Sequence, residues 1–440
     1  MFIQSAAEAI RQGKLSPVAL LDRCLDRIDR YEERVRAWVV VDRDGAKQQA
    51  RRAEAEIKAG HWRGPLHGIP IGVKDIIDVF DLPTAAGSRL WKDSVARQDA
   101  TVVRRLRSAG AVIMGKTVTT QYASFDPPPT RNPWKASRTP GGSSSGSAAA
   151  VACGMCLGAL ATQTGGSITR PASYCGAASI KPSFGRVSTQ GVLPLAHSMD
   201  HIGTMAGCVR DVRTIFQAMA GTDPLDAERE LSYVDQAEPL SPGAPRLGRV
   251  HALFATLAEP AVTALVDRAV AVLEKKGAKV KDVALPGSFD EVLTRHRTVM
   301  AVEAAQYHED RLRRHPEDYS PCITQLLNEG LACTAPEYAR TKEHQKLLSL
   351  EVASTIAPGE VLLTPATTSA APDAATTGNP AFNSPWSYTG LPTVSFVAGW
   401  TDDGLPLALQ LIGRPNTESE LLAIAEWCEE ALAVSRREPS

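Results

Sequence analysis

Apolar residues at helical spacing mark the first long element of the chain. Ser16 and Pro17 precede VALLDRCLDRIDRYEERV, in which apolar positions recur every three or four residues. This is a typical helix start, because the serine oxygen accepts an early backbone N–H and proline has no N–H to leave unpaired. We predict a surface helix here, a strand at AWVVVD (37–42) and a polar helix over about 45–58.

Helices and strands continue to alternate further along the chain. HGIPIGVKD is a predicted strand, and Asp99 is predicted to cap the helix ATVVRRLRSAG, which leads into the apolar strand AVIMG. After residue 245, RLGRVHALF, PAVTALVDRAVAVLEKKG and AKVKDVALP predict strand, helix and strand. PTVSFVAGW and LPLALQLIG flank TDDG (401–404), a hairpin signal, and a last helix starts near 417. This order is typical of an α/β protein in which helices cover a sheet.

Composition narrows the possible partners and location. The 440 residues carry 48 basic and 49 acidic side chains without basic blocks, so nothing favours nucleic acid as a partner. The start, MFIQSAAEAIRQGK, lacks the features of a signal peptide, and the longest apolar stretch, VACGMCLGALA, is too short to span a bilayer. We expect a soluble, cytoplasmic protein that does not bind membranes.

The cysteines do not predict a metal site. Cys153 and Cys156 form the only CxxC of the chain, inside an apolar segment, and no second CxxC or nearby His pair accompanies them. We therefore expect these thiols to be buried packing residues, and we expect no metal and no cofactor.

Residues 110–117, GAVIMGKT, satisfy the phosphate-loop pattern GxxxxGK[ST]. A phosphate loop needs its four middle residues to curl around phosphates after a strand, rather than to form the strand. Here those residues are Ala, Val, Ile and Met, which are typical of a core strand. We reject a nucleotide site at this position.

Residues 142–146, GSSSG, fit the GxSxG nucleophile elbow of α/β-hydrolases. That elbow follows a buried strand, whereas the preceding residues, NPWKASRTP, are polar and broken by prolines. A Ser-His-Asp hydrolase stays an alternative, with His67, His197 or His201 as its histidine. Each of these histidines also fits an ordinary packed or solvated role.

The serine-rich stretch TPGGSSSGSAAA (139–150) has the composition of a flexible linker. It continues, however, into AAAVACGMCLGALATQTGGSITRPASYCGAASIKPSFGRV, which contains too many small apolar residues to be left in water. Small residues also allow close approach of backbone to backbone. The stretch therefore predicts a buried, ordered segment rather than a linker.

At these residues the sequence resembles the amidase signature family. GVKD with Lys74, GGSSSGSAAAVA with Ser143 and TGGS with Ser167 occur in the family's order, with Ser167 24 positions after Ser143, and the likeness continues to GLPLALQLIG. It implies a single large α/β domain over 1–440 with a mixed, mostly parallel sheet flanked by helices. The core at 60–215 would carry the catalytic residues.

The resemblance implies a Ser-Ser-Lys triad. Ser167 would be the nucleophile, Ser143 a bridging hydroxyl and Lys74 the base. Lysine accepts a proton only when it is neutral, so its pKa must fall from about 10.4, which burial achieves by penalising the ammonium form. From the residues alone, a solvated Lys74 paired with Asp75 fits as well. Physical reasoning also does not choose among Ser143 and its neighbouring serines, so that choice depends on the motif.

The glycines of TGGS are expected to form an oxyanion hole. Backbone N–H groups of Thr164, Gly165, Gly166 and Ser167 would converge on the oxygen of a tetrahedral intermediate, because glycine lets the carbonyl carbon approach closely. The resemblance further implies a cis peptide bond between Gly142 and Ser143.

Two residues near the nucleophile bear on the substrate. Gln163 and Arg170 depart from the TDTGGSIR that is common in the family and are similar to malonamidase-like members, in which an arginine holds a substrate carboxylate. Arg170 fits equally a role in tying the loop to the protein's own carbonyls. Residues 121–134 are expected to wall the entrance, and the helical segment 285–345 to complete the pocket.

The implied function is hydrolysis of a C–N bond through an acyl-enzyme on Ser167. The expected substrates are small amides, with carbamates or urethanes as alternatives, and water. Two other functions stay open: an amidotransferase-type amidase subunit that works with a partner, and the Ser-His-Asp hydrolase. A homodimer is one candidate assembly.

Overall fold

A computed structural model of the chain describes residues 1–221, 223, 226 and 243–439. Its helices are α1 (Ile3–Arg11), α2 (Pro17–Val35), α3 (Arg43–Lys58), α4 (Thr101–Ser108), α5 (Ser145–Ala152), α6 (Thr169–Cys175), α7 (Val209–Met219), α8 (Ala252–Leu257), α9 (Pro260–Lys275), α10 (Val292–Arg314), α11 (Pro321–Ala332), α12 (Ala335–Thr355), α13 (Ser384–Tyr388) and α14 (Glu418–Leu432). Its strands are β1 (Trp38–Val41), β2 (Pro70–Lys74), β3 (Val112–Thr117), β4 (Gly158–Gln163), β5 (Ala178–Lys181), β6 (His201–Ala206), β7 (Arg246–Val250), β8 (Lys279–Val283), β9 (Glu360–Pro365), β10 (Thr393–Trp400) and β11 (Pro406–Ile412).

These strands form one sheet in the order β1-β3-β2-β4-β6-β5-β10-β11-β9-β7-β8. The predicted single α/β domain with a mixed sheet flanked by helices is confirmed, but the prediction that the sheet is mostly parallel is wrong. Only β2 with β3 and β4, and β7 with β8 and β9, are parallel, while every other neighbouring pair is antiparallel. Apart from β1 with β3 at one edge, the antiparallel pairs occupy the centre of the sheet. Several of them, such as β5 with β10, join segments distant in sequence, so helix-and-strand alternation does not reveal them.

Most local predictions are confirmed. The Oγ atom of Ser16 accepts the Ala19 N–H at 3.0 Å, and Pro17 opens α2, as the sequence pattern indicates. The alternating segment before Lys74 is β2, and the TDDG turn joins β10 to β11 as an antiparallel hairpin. Cys153 and Cys156 are buried in the hydrophobic core.

Two local predictions are wrong. Asp99 does not cap α4, because its carboxylate instead accepts the Phe80 N–H at 2.8 Å and pairs with Arg107 at 2.9 Å. The segment RLGRVHALF is a strand only as far as β7, and its last residues form α8. There Phe254 packs against the ring of Phe382, with 4.9 Å between the ring centroids, which a continued strand would not place in the core.

Residues 285–345 are predominantly helical, as predicted: α10, α11 and the start of α12 account for most of this segment. Among the residues that the structure describes, no helix is long and apolar enough to cross a bilayer.

The GAVIMGKT segment is a core strand. Its middle residues lie in β3, as the apolar composition predicts. The Nζ atom of Lys116 is fully buried, forms an ion pair with Asp75 at 2.9 Å and donates to the Pro83 carbonyl at 2.8 Å. Lys116 therefore serves as the buried counter-ion of Asp75.

Replacing Lys116 by methionine is expected to destabilise the protein. The Asp75 carboxylate would be left buried without its counter-ion, which costs about 3 to 5 kcal/mol. Urea unfolding followed by circular dichroism measures the loss. The control is Arg313→Ala, which breaks an exposed pair with Asp310 and should cost less than about 1 kcal/mol. Equal unfolding midpoints for the two variants would show that the buried pair has no structural role.

Candidate active site

Neighbouring strands bring the predicted catalytic residues to one edge of the sheet. Lys74 is the last residue of β2, and β4, which leads to Ser167, runs parallel beside it with Val73 opposite Leu160. Ser143 lies just before α5, after a cis peptide bond from Gly142. The carboxyl ends of parallel strands meet at the same edge, so the loops that follow them converge.

The amine of Lys74 is buried and is hydrogen-bonded to two hydroxyl groups. Its Nζ atom is hydrogen-bonded to Ser143 Oγ and to Thr162 Oγ1, both at 2.7 Å, and the side chain is 0% exposed. Burial lowers the pKa of Lys74 to about 7, while the negative charge of Asp200 acts in the opposite direction. The amine is thus neutral in a large fraction of molecules near neutral pH.

The alternative of a solvated Lys74 paired with Asp75 does not fit this geometry. Lys74 has no solvent exposure, and the Asp75 carboxylate forms its ion pair with Lys116 instead. The two adjacent residues point to different partners, as successive residues of a strand do.

The hydroxyl of Ser167 is placed differently from that of Ser143. Ser167 lies in the turn between β4 and α6 and is 8% exposed. Within the described part of the chain its Oγ atom makes no hydrogen bond. Lys74 is therefore hydrogen-bonded to Ser143, but Ser143 is not hydrogen-bonded to Ser167. Helix α6, which follows this turn, packs against the Ser143 loop, because a Cβ on Gly141 would lie 2.7 Å from Pro171 Cα.

Carbonyls of the TGGS turn are hydrogen-bonded to the protein, whereas three of its N–H groups are not hydrogen-bonded to the described residues. The carbonyl of Thr164 contacts His296 Nε2 at 2.9 Å, and the Gly165 carbonyl accepts from Ser387 Oγ at 3.0 Å. By contrast, the N–H groups of Gly165, Gly166 and Ser167 have no hydrogen-bond partner among residues 1–221, 223, 226 and 243–439. Three successive donors of this kind are what an oxyanion hole requires.

Glycine is required at position 166 for a steric reason. An added Cβ would lie 2.7 Å from Asn383 Oδ1, so any side chain would push the turn away from its support.

Gln163 holds the turn by its side chain. Its Oε1 atom accepts the N–H groups of Ile168 and Thr169 at 2.9 and 3.0 Å, and its Nε2 donates to Ser387 Oγ at 3.1 Å. The side chain is buried, so both ends of the amide are engaged with the protein.

Arg170 is 1% exposed and connects α6 to the loop that carries Ser143. Its Nη2 atom donates to the Gly142 carbonyl at 2.8 Å and to Thr377 Oγ1 at 3.4 Å. Its Nε and Nη1 atoms are buried without a hydrogen bond among the described residues. Burial lowers the pKa of the guanidinium to about 10, so it stays charged at neutral pH.

The three histidines of the Ser-His-Asp alternative lie in other contacts. His67 Nδ1 accepts the Arg63 N–H at 3.2 Å, and His201 Nδ1 contacts the Met199 carbonyl at 2.6 Å. His197 is 54% exposed and lies 3.4 Å from a Glu303 oxygen.

Sequence reasoning missed three residues around the turn: Thr162, Asp200 and His296. Thr162 is two residues before Thr164 and was within reach of an alternation argument. Asp200 and His296 come from distant parts of the chain and carry no local signal. Burial lowers the pKa of His296 to about 4, so its ring is neutral when it contacts the Thr164 carbonyl.

A cavity of about 50 Å³ lies beside the Lys74 contact. Its lining includes Ala123, Thr162, Thr164, Leu195 and Asp200. The predicted wall segment and the helical segment meet nearby, since the Gln121 side chain accepts the Ser320 N–H at 2.8 Å. In the described part of the chain, no group of three or more His, Cys, Asp or Glu side chains is arranged to hold a metal ion.

Comparison with known proteins identifies the family of this chain. The Amidase family model matches residues 19–422. A glutamyl-tRNA(Gln) amidotransferase subunit from Roseiflexus castenholzii is 34% identical, covering 96% of this chain and 94% of the relative. An amidase from Pseudomonas putida is 35% identical, covering 99% and 97%.

A solved structure gives the same result for the fold. It is described as a vestigial protein complex that reveals the origins of an s-triazine catabolic enzyme, and it superimposes with a TM-score of 0.92 at 30% identity, covering 99% of both chains. The chain therefore belongs to the amidase signature family, whose members hydrolyse C–N bonds.

Proposed function

We propose that this amidohydrolase works through an acyl-enzyme on Ser167. Ser167 Oγ attacks the substrate carbonyl carbon while its proton passes to Ser143 Oγ and the Ser143 proton passes to Lys74 Nζ. The C–N bond then breaks as the departing nitrogen takes a proton back along the same route. Water attacks the resulting ester by the same transfers in a second half-reaction, which frees the acid and restores Ser167.

The observation that carries this proposal is the 2.7 Å contact between the fully buried Lys74 Nζ and Ser143 Oγ. A base must be neutral to accept a proton, and burial supplies that condition by lowering the pKa of the amine to about 7. Ser143 Oγ and Thr162 Oγ1 both touch the base at 2.7 Å, and the resemblance of the GGSSSGS motif assigns the onward proton transfer to Ser143.

We assign stabilisation of the tetrahedral oxygen to the TGGS turn. The N–H groups of Gly165, Gly166 and Ser167 lack partners among the described residues, and the carbonyls on the other side of the turn are held by His296 and Ser387. Fixed donors need no reorganisation when negative charge develops, which is why they lower the barrier. We also propose the N–H of Thr164 as a donor of this oxyanion hole, following the expectation from the sequence.

Gln163 and Arg170 are proposed to act mainly by holding this turn, since their hydrogen bonds go to backbone groups and hydroxyls of the protein. Direct contact of Arg170 with a substrate carboxylate or carbonyl stays a prediction. It would use the Nε and Nη1 atoms, which have no hydrogen bond to the described residues.

Small amides are the proposed substrates, with carbamates or urethanes as alternatives. The relative from Pseudomonas putida that is named an amidase, 35% identical over 99% of this chain, supports amides as the substrate class. Residues 121–134 and 285–345 are proposed to frame the entrance. A cytoplasmic location and a homodimer also stay predictions, and light scattering of the purified chain measures the latter.

An amidotransferase-type function is the second candidate, because a relative of that name aligns over 96% of this chain. In that case a partner would accept the released ammonia. The two functions differ in whether the chain alone turns over amides.

Replacing Ser167 by alanine should abolish turnover. The variant lacks the attacking oxygen, so kcat should fall by about a thousandfold or more, and no acyl adduct should appear by mass spectrometry. Ser145→Ala is the matched control, because Ser145 Oγ makes only a long 3.4 Å contact with the Val118 carbonyl. A Ser167→Ala variant that keeps most of its activity would disprove the assigned nucleophile.

The rate should depend on pH through Lys74. The pKa of Lys74 is lowered to about 7, and the neutral amine is the active form. We therefore expect kcat/KM to be low at pH values well below 7 and to rise as the pH passes through about 7. Lys74→Met should lose most of the activity, and any activity that is left should no longer rise with pH through about 7, while circular dichroism shows a native fold. This rise on the acid side is the acid limb of the pH profile. Activity in Lys74→Met near that of the wild type would exclude lysine as the base.

The purified chain should release ammonia or an amine from small amides without a partner. A panel of small amides, carbamates and anilides, with products identified by mass spectrometry, measures the preference for each bond type. Ser167→Ala is the blank. No release from any compound, followed by release when a partner protein is added, would favour the amidotransferase-type function.

A further inference from the structure

Two threonines near the end of β4 contact the proposed base and an acidic residue, respectively. Thr162 Oγ1 contacts Lys74 Nζ at 2.7 Å, and Thr164 Oγ1 donates a hydrogen bond to Asp200 Oδ1. Thr162, Thr164 and Asp200 all line the cavity of about 50 Å³. Asp200 thus faces the same small space as the residues around the base.

The carboxylate of Asp200 is fixed in place by the backbone. Its Oδ2 atom accepts the N–H groups of Leu195 and Ala196 at 2.9 and 3.1 Å. Asp200 also immediately precedes β6, which pairs with β4 so that His201 lies opposite Gln163. Sheet register and two backbone hydrogen bonds therefore hold the carboxylate beside the TGGS turn.

Thr164 gives this carboxylate a mechanical connection to the proposed oxyanion hole. Thr164 directly precedes Gly165, and its carbonyl is held by His296. With its hydroxyl held by Asp200, Thr164 is anchored on two sides. Loss of the hydroxyl contact would leave the N–H groups that follow less well positioned.

The charge of Asp200 also affects the base. Burial lowers the pKa of Lys74, and the Asp200 carboxylate raises it. Without that charge the pKa of the amine would fall further.

We propose that Asp200 is a positioning residue for catalysis with two separable effects: through Thr164 it orients the oxyanion turn, and through its negative charge it acts on the Lys74 amine. This inference rests on the proposed function of Lys74 and of the turn.

Other charged or titratable groups surround the same region. From the strands they are Asp75, just after β2, Lys116 of β3 and His201 of β6. From the loop before β6 it is His197, and from the helices they are His296 and Glu303 of α10 and Lys342 of α12. Asp75 and Lys116 neutralise each other, and His296, with its pKa lowered to about 4, stays neutral over the assay range. His197 is exposed, so its titration is removed by working in a His197→Gln background.

Two variants separate the two effects. Asp200→Asn removes the charge. Its amide oxygen can accept the N–H groups of Leu195 and Ala196 while its NH2 donates to Thr164 Oγ1, so the side chain stays in place with the Thr164 hydrogen bond reversed, and the acid limb of kcat/KM should move to lower pH, by about half a unit or more. Thr164→Val keeps the charge and loses the hydroxyl. It should lower kcat about tenfold with the limb unmoved, and Thr164→Ser should restore the rate.

The position of the limb does not depend on how much of the enzyme is active, so partial misfolding of Asp200→Asn does not obscure it. If that variant fails to fold, Asp200→Glu, which retains the charge, should keep the limb while lowering kcat. An unmoved limb in folded Asp200→Asn, a moved limb in Asp200→Glu, or wild-type kcat in Thr164→Val overturns the inference.

These outcomes are distinct from failure of the proposed function. If Lys74→Met stays active, the function itself is wrong. If the wild type shows a limb that requires Lys74 but Asp200→Asn leaves it in place, only the inference about Asp200 fails.

Discussion

The burial of one lysine amine against two hydroxyls is the constraint on which the site depends. The Lys74 side chain is fully buried, and its Nζ atom is hydrogen-bonded to the hydroxyls of Ser143 and Thr162. In water the same amine would be protonated at neutral pH and could not act as a base. The parallel pairing of β2 with β4 places this amine where the Ser143 and Ser167 loops meet.

The residues around the TGGS turn support that arrangement. They hydrogen-bond to carbonyls of the turn and to the backbone next to it, and they leave the N–H groups of its glycines without partners among the described residues. Gln163 accepts the N–H groups of Ile168 and Thr169 just after the TGGS turn, and Ser387 donates to the Gly165 carbonyl within it. Arg170 donates to the Gly142 carbonyl of the Ser143 loop. The N–H groups of Gly165 and Gly166 stay without partners in the described residues. A turn that is rigid at the back and open at the front suits a reaction in which negative charge appears only briefly.

Local patterns in the sequence predicted most individual elements, because capping and periodicity act within a few residues. α2, β3 and the β10–β11 hairpin are examples. The order of the sheet was beyond such reasoning, since pairs such as β5 with β10 form between segments far apart in the chain. Family motifs, rather than physical argument, selected Ser143 among its neighbours. Asp200 and His296 reach the turn only through tertiary contacts and were therefore missed.

Direct titration of the Lys74 side chain tests the central claim. Heteronuclear NMR of protein carrying ¹³C- and ¹⁵N-labelled lysine, with the Lys74 signal assigned by its absence in Lys74→Met, follows the protonation of this amine without relying on turnover. A midpoint near pH 7 agrees with a buried, neutral base. A midpoint near the ordinary lysine value of 10.5 would contradict it, because the amine would then be charged whenever the enzyme is at work.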